Sequence, residues 1–305
     1  MSDPRKSAFT VTVVNHKGGV GKSSLAANIG AICADLGQRV LLIDCDPQGS
    51  LSEWFPITGP AQRGISHVLR ARAIDASCIS QTGIDGLSII LRDSGMGAAL
   101  VELAAGWRSD LALDQAIRGL RDGDLFDIVI IDTPGSIATS DRLVLDLAIV
   151  PADLLLAPIV PESLSTAQVG TLLELLQRYE RDAPDSRQAA TPCKAIINKY
   201  TTTSNSRELT AELRRKFMPS RGRFTLAQTL IPQSAMHDQA VKKKTAVHRI
   251  EPQRGGQLGP ANTALHALVA ELFPHLYDAV HSTDDPRADG DETNFSPISQ
   301  TGANS

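Results

Sequence analysis

The chain has 305 residues, 42% hydrophobic, 21% charged and 4% aromatic, with a formal net charge of −4. This balance fits a globular protein with a full core. No apolar run reaches the roughly 18 residues a membrane helix needs, and so few aromatics argue against base stacking as the main binding mode. The charge is unevenly placed. From Thr283 to Ser305 the acids Asp284, Asp285, Asp289, Asp291 and Glu292 outweigh Arg287 and carry a net −4, which leaves the body neutral.

Apolar, β-branched runs alternate with helical spacing along the chain, which predicts an α/β fold. The expected architecture is a doubly wound, mostly parallel sheet with helices on both faces. Residues 1–8 are read as a short arm before the first strand, and neither a signal peptide nor a helix-turn-helix extension is expected ahead of it. Strands are predicted at Phe9–Asn15, Val40–Asp44, Leu87–Leu91, Phe126–Asp132, Leu154–Ile159, Ala195–Asn198 and Ala227–Ile231. Helices are predicted at Lys22–Leu36, which Gly37 stops, and at Leu164–Tyr179 and Ala261–Leu276. Pro56–Gly86 shows no clear period. Residues 9–281 are read as one domain, and 282–305 as an acidic tail expected to be disordered. Cys33, Cys45, Cys78 and Cys193 lie far apart without metal-ligand spacing, so they are expected in the core of a cytoplasmic protein.

Three stretches carry chemistry. The first, NHKGGVGKSS, starts at Asn15 and nearly fits the phosphate-loop pattern G-x-x-x-x-G-K-[ST], with His16 where the first glycine belongs. Between a strand and a helix such a loop aims backbone N–H groups at phosphate oxygens, and the helix dipole adds to the attraction. Gly18, Gly19 and Gly21 allow the tight path, with Val20 between them. Lys22 suits the β- and γ-phosphates, Ser23 a magnesium ion, and Ser24 the α-phosphate. The bland alternative is a glycine-rich turn with incidental lysines. The second stretch, IVIIDTPG, ends a strand on Asp132, placed to hold a magnesium water, with Gly135 in the loop beyond; Asp132 can also be read as a plain helix cap. In the third, LLIDCDPQGS, Asp44 and Asp46 leave a strand on the same side. Asp46 is the candidate for orienting a hydrolytic water, while Asp44 either supports the magnesium shell or is structural.

KGGVGKSS, DCDPQGS and IVIIDTPG in this order and spacing resemble the deviant Walker A ATPases of the ParA/MinD family (P-loop, SIMIBI class) from about Phe9 to Tyr277. The resemblance implies ATP and Mg2+ as cofactors and an ATP-dependent sandwich homodimer. It implies that Lys17, absent from the ordinary pattern, reaches the partner's phosphates, and that Asp46 positions water. It also implies that Asn198 binds adenine, that Pro232 belongs to the loop closing the adenine pocket, and that Glu162 touches nucleotide at the dimer face.

Within the family, Gly135–Leu147 has no cysteine for the interchain cluster of nitrogenase iron protein. A lone Tyr277 near the end does not match the tyrosine cluster of the bacterial kinases. A MinD-like membrane role needs a basic amphipathic C-terminal helix, whereas Ala261–Leu276 has almost no Lys or Arg. ParA-type partition proteins bind nonspecific double-stranded DNA, and two basic runs suit that. One, Arg207–Arg223, includes Arg214, Arg215, Lys216, Arg221 and Arg223; the other, Lys242–Arg249, includes Lys242, Lys243 and Lys244. Either run alone can be a solvated face. The chain reads Gln233-Ser234-Ala235-Met236 where partition ATPases often carry arginines. The expected function is a nucleoid-associated partition ATPase with a ParB-like partner and no membrane. The alternatives are a positioning ATPase for a protein cargo and a MinD-like cell-division regulator.

Overall fold

The computed structural model describes residues 8–106, 109–121, 125–135, 139–162, 165–182, 191–217, 223–251 and 259–277. Among these residues nine strands form one sheet: β1 Phe9–Val13, β2 Val40–Asp44, β3 Ile57–Gly59, β4 Ser80–Thr82, β5 Leu87–Ile90, β6 Ile128–Asp132, β7 Leu154–Ile159, β8 Cys193–Tyr200 and β9 Phe224–Pro232. Their order across the sheet is β3-β4-β5-β2-β6-β1-β7-β8-β9. Every pairing is parallel except β3 with β4 and β4 with β5.

The predicted doubly wound architecture is borne out. The strand VLLID shows why, because its side chains alternate between two covered faces. Val40 and Leu42 join a core with helix α1 (Lys22–Asp35) and with Leu265 and Leu268 of Pro260–Leu272. Leu41 and Ile43 face helix α2 (Ile65–Ala71), Ala112–Arg121 and Thr139–Ile149. A third cluster packs β7 and β8 against Ser165–Asp182 and Ser204–Phe217. A strand buried on both sides reads as an unbroken apolar run, which is why the central strands stood out.

All four cysteines are free and buried. Burial pushes the Cys33 and Cys193 thiols up to about 12, and Cys45 well above its usual value, so these three are inert packing groups.

Several boundaries differ from the predicted ones. β1 stops at Val13 because Asn15 turns away and donates Nδ2 to the Pro158 carbonyl at 2.6 Å. β8 and β9 extend the shorter predicted strands in both directions. The last predicted helix ends at Leu272, not Leu276, because Phe273 precedes Pro274 and leaves the helical region with φ −135° and ψ 68°. Pro56–Gly86 contains the antiparallel strands β3 and β4 and helix α2.

One ion pair sets the register that matters for the site. Arg39, just before β2, donates Nε and Nη2 to the Asp127 carboxylate at 3.0 and 2.8 Å, just before β6. This two-pronged contact aligns the strand starts, and at the far end of the two strands Asp44 lies directly opposite Asp132.

Candidate functional site

The three motif strands are neighbours in the order β2-β6-β1, and Asp132 is also in register with Val13. Parallel strands end on the same edge, so the loops after β1, β2 and β6 converge there. This is the position outside the carboxyl ends of the strands where open α/β sheets bind ligands. A cleft of about 960 Å³ opens at this edge, lined by Gly18, Gly19, Gly21, Lys22, Ser23 and Ser24 on one side and Asp46–Gln48, Ser50, Glu53 and Trp54 on another. Pro134, Gly135, Asn198, Lys199, Gln233–Ala235, His237, Asp238 and Val241 complete the lining. Its volume suits a nucleotide-sized molecule.

The loop after β1 is held by its neighbours. Asn198 is buried and donates Nδ2 to the Val20 carbonyl at 2.7 Å, and the Lys199 ammonium donates to the Gly19 carbonyl at 2.7 Å. Gly21 adopts φ 93°, and a Cβ there would lie 2.4 Å from Asn198 Nδ2, so both backbone and packing require glycine. The loop after β6 approaches as closely, since a Cβ on Gly135 would meet Gly18 Cα at 2.7 Å and Lys22 Nζ at 3.0 Å. Gly135→Ala is therefore expected to displace the loop backbone and lower nucleotide affinity by about fivefold or more, roughly the 1–3 kcal/mol of an overpacked contact. Calorimetric titration of the variant with ADP checks this, and unchanged affinity would contradict it.

The two lysines of the loop are placed differently. Lys22 is 6% exposed, and its ammonium donates to the Lys17 carbonyl at 3.3 Å. Burial lowers its pKa, while Asp132 and Asp46 act the other way. Such an ammonium is poised for an anion. Lys17 does not line the cleft; its ammonium donates to Glu162 Oε2 at 2.6 Å, with side-chain exposures of 37% and 57%. An exposed pair of this kind contributes only about 0–1 kcal/mol and is readily exchanged for another anion. His16 stays neutral, its pKa lowered by partial burial and then by Lys22 and Lys17.

The carboxylates divide by burial. Asp44 and Asp132 are fully buried, whereas Asp46 lines the cleft. Asp44 Oδ1 accepts from the Asp46 amide at 3.0 Å, and Oδ2 from the Ser52 amide and hydroxyl at 2.7 and 2.6 Å. These bonds make Asp44 a brace for the loop carrying Asp46. That placement fits the structural alternative better than a share in a metal shell, because both oxygens are already engaged. Asp46 Oδ1 accepts from the Gln48 amide at 2.9 Å.

Asp132 Oδ1 accepts from the Thr133 amide at 3.1 Å, while Oδ2 is buried without a hydrogen-bond partner among the described residues. Burial and the facing Asp44 push its carboxyl up to about 8, against the pull of Ser23 and Lys22. A buried carboxylate oxygen without a partner, beside a serine hydroxyl, is a hard-oxygen donor pair that suits a small divalent cation. Ser23 and Asp132 therefore fit magnesium.

Of the remaining sequence-predicted residues, Pro232 ends β9 but does not line the cleft; Gln233, Ser234 and Ala235 take that place. The basic runs divide by what their side chains touch. Arg223 donates to the Thr191 and Leu176 carbonyls at 2.6 and 3.1 Å, and Arg214 donates to the Gln228 carbonyl at 2.8 Å, so both guanidiniums serve the fold. Arg249 pairs with Asp35. Arg215 and Lys242–Lys244 are exposed, whereas Arg221 and the side chain of Lys216 lie outside the described residues. Sequence reasoning missed Lys199, Trp54 and His237. Lys199 stands next to Asn198 and was within reach of the motif, but the other two are brought in only by folding.

The sequence profile of a family described as "AAA domain" matches residues 8–187. The chain is 31% identical over 170 residues to the chromosome partitioning protein ParA of Caulobacter vibrioides, covering 55% of this chain and 62% of that one. It is 32% identical over 167 residues to the chromosome-partitioning ATPase Soj of Thermus thermophilus, covering 55% and 61%. These matches thus span about six tenths of the relatives' length. McdA of Cyanothece, solved as an ATP complex, superposes with a TM-score of 0.71 at 20% identity, covering 88% of this chain and 97% of that one. The phosphate loop with its second lysine, the paired acids after β2, Asp132 after β6 and these similarities agree: the chain belongs to the ParA/MinD family of P-loop ATPases.

Proposed function

We propose that this chain binds ATP with Mg2+, pairs through the nucleotide into a sandwich homodimer, and as that dimer binds nonspecific double-stranded DNA at the nucleoid. A ParB-like partner on plasmid or chromosome DNA then stimulates hydrolysis and releases it, so that the cycle drives partition. The observation that carries this reading is the split between the two lysines. Lys22 is buried in its own cleft, whereas Lys17 is held outside by a weak exposed pair and is available to a second subunit's phosphates.

In the mechanism, the loop amides from Gly18 to Ser24 and the start of α1 receive the phosphate chain. Lys22 neutralises the β- and γ-phosphates from within the subunit, and Lys17 adds charge from the partner as negative charge develops on the transferring group. Asp46, braced by Asp44 and Gln48, orients a water in line with the γ-phosphate. Ser23 and Asp132 would hold the magnesium ion, which, when bound, spreads the charge of the β- and γ-oxygens. Asn198, Lys199 and Gln233–Ala235 border the part of the cleft left for the base.

The DNA reading rests on Lys242–Lys244. They end the helix Ala235–Lys242, from which Ala235, His237, Asp238 and Val241 line the cleft. A left-handed turn at Lys244, φ 50°, and bonds from Lys243 and Lys244 amides to Gln239 and Val241 carbonyls fix the run at the helix end. Two such patches in one dimer gain avidity that a single patch lacks. DNA affinity is expected to require ATP and to fall steeply with salt. Replacing all three lysines with alanine is expected to flatten the plot of log affinity against log salt by about one unit per lost phosphate contact. Equal affinity with and without ATP would contradict the cycle.

A second reading, a positioning ATPase for a protein cargo, is favoured by the use of Arg214 and Arg223 inside the fold, which shrinks the basic surface. It would show ATP-dependent dimers with an adaptor that does not bind DNA. A MinD-like role is not supported, because helix Pro260–Leu272 has no Lys or Arg and buries Leu265, Leu268 and Val269 in the core. No helix among the described residues is long and apolar enough to cross a membrane.

A further inference from the structure

Ser24 is gripped from two directions. Its carbonyl accepts from Asn28 Nδ2 at 2.7 Å, and Asn28 Oδ1 accepts in turn from the Val247 amide at 2.7 Å. Its hydroxyl lies 3.0 Å from Nδ1 of His237, which stands 213 residues later in the chain on the helix Ala235–Lys242. Both Ser24 and His237 border the cleft. No part of the phosphate-loop pattern calls for a histidine at this place.

The second ring nitrogen decides which way the bond runs. His237 Nε2 is buried and has no hydrogen-bond partner among the described residues. A buried N–H without an acceptor costs about 1–3 kcal/mol, so the single proton of the neutral ring belongs on Nδ1, where an acceptor exists. Burial lowers the pKa of His237, more than offsetting Glu251 and Asp238, so the neutral ring is the resting form. Nδ1–H therefore donates to Ser24 Oγ. A hydroxyl that accepts from the imidazole must turn its own proton to a different acceptor, and its open side is the cleft.

We propose that His237 is a positioning residue for nucleotide binding: by donating Nδ1–H to Ser24 Oγ it aims the Ser24 hydroxyl proton at an α-phosphate oxygen. This rests on the reading of the cleft as a nucleotide site and deepens it. His237 also sits on the helix that ends in Lys242–Lys244, so the same contact ties that helix to the occupied site.

The test is a double-mutant cycle read by calorimetric titration with magnesium-ADP, which avoids dimerisation and turnover. His237→Leu is expected to weaken ADP binding about five- to tenfold, the worth of one ordinary hydrogen bond. In a Ser24→Ala background the same change is expected to have no further effect. His237→Asn, whose amide N–H overlies Nδ1, is expected to recover most of the affinity. An equal loss from His237→Leu with and without Ser24, or no loss at all, overturns the proposal, as does failure of His237→Asn to exceed His237→Leu. If the unsubstituted protein itself does not bind ADP, the nucleotide reading fails first, and this proposal fails with it.

Discussion

Lys17→Ala is expected to leave nucleotide binding by a single subunit intact and to lower ATP turnover by about 10³-fold, the lower range for losing a cation supplied in trans to a phosphoryl transfer. The structure separates these two effects. Lys22 is the ammonium buried in the subunit's own cleft, and nothing in its placement depends on the Lys17 side chain, since its bond is to the Lys17 backbone carbonyl. Alanine keeps that carbonyl. The bond from the Lys17 amide to Asn15 Oδ1 at 2.9 Å also survives, so the loop retains its path. The lost pair with Glu162 is exposed and contributes no more than about 1 kcal/mol, too little to unfold the protein. ADP affinity and steady-state phosphate release are therefore expected to diverge in this variant. Loss of both together would mean that Lys17 serves its own subunit's site.

Asp46→Ala is expected to retain ATP and to reduce its hydrolysis by about 10²–10⁴-fold, the range for losing a positioned acid–base group. Asp46 is the acid of the pair that lines the cleft, while Asp44 lies fully buried behind it and braces the loop. The variant removes one carboxylate beside Lys22 without disturbing the Asp44 bonds to Ser52. Less negative charge near the phosphates favours ATP retention. The ATP-bound dimer should therefore accumulate, and with it DNA binding that persists after the parent protein has released. Single-turnover assays distinguish this from failed binding, and normal turnover would remove the water-positioning role from Asp46.

How much of this was legible in the sequence follows from local against long-range causes. LLID and IVIID stood out because strands covered on both faces must be apolar throughout, and their terminal acids fall on one edge by parallel pairing alone. β3 and β4 were not legible: three-residue antiparallel strands at a sheet edge carry too few side chains to show a period. In the basic run from Arg207 to Arg223, charge alone says nothing of each side chain's partner. Arg223 spends its guanidinium on backbone carbonyls that arrive from 32 and 47 residues away. His237 was invisible for the same reason, since its contact with Ser24 exists only once the helix Ala235–Lys242 lies beside α1. Lys17 was legible as an extra lysine, but its position outside the cleft, on Glu162, required the fold.

Whether Lys17 completes the partner's site is read from the mass in solution, by light scattering, of Asp46→Ala with magnesium-ATP, compared with the same protein carrying Lys17→Ala as well. Twice the chain mass for the first, falling to the chain mass for the second with ATP still bound, is the expected result. A single-chain mass for ATP-bound Asp46→Ala, or a dimer that persists without Lys17, would contradict the claim that Lys17 completes the partner's site.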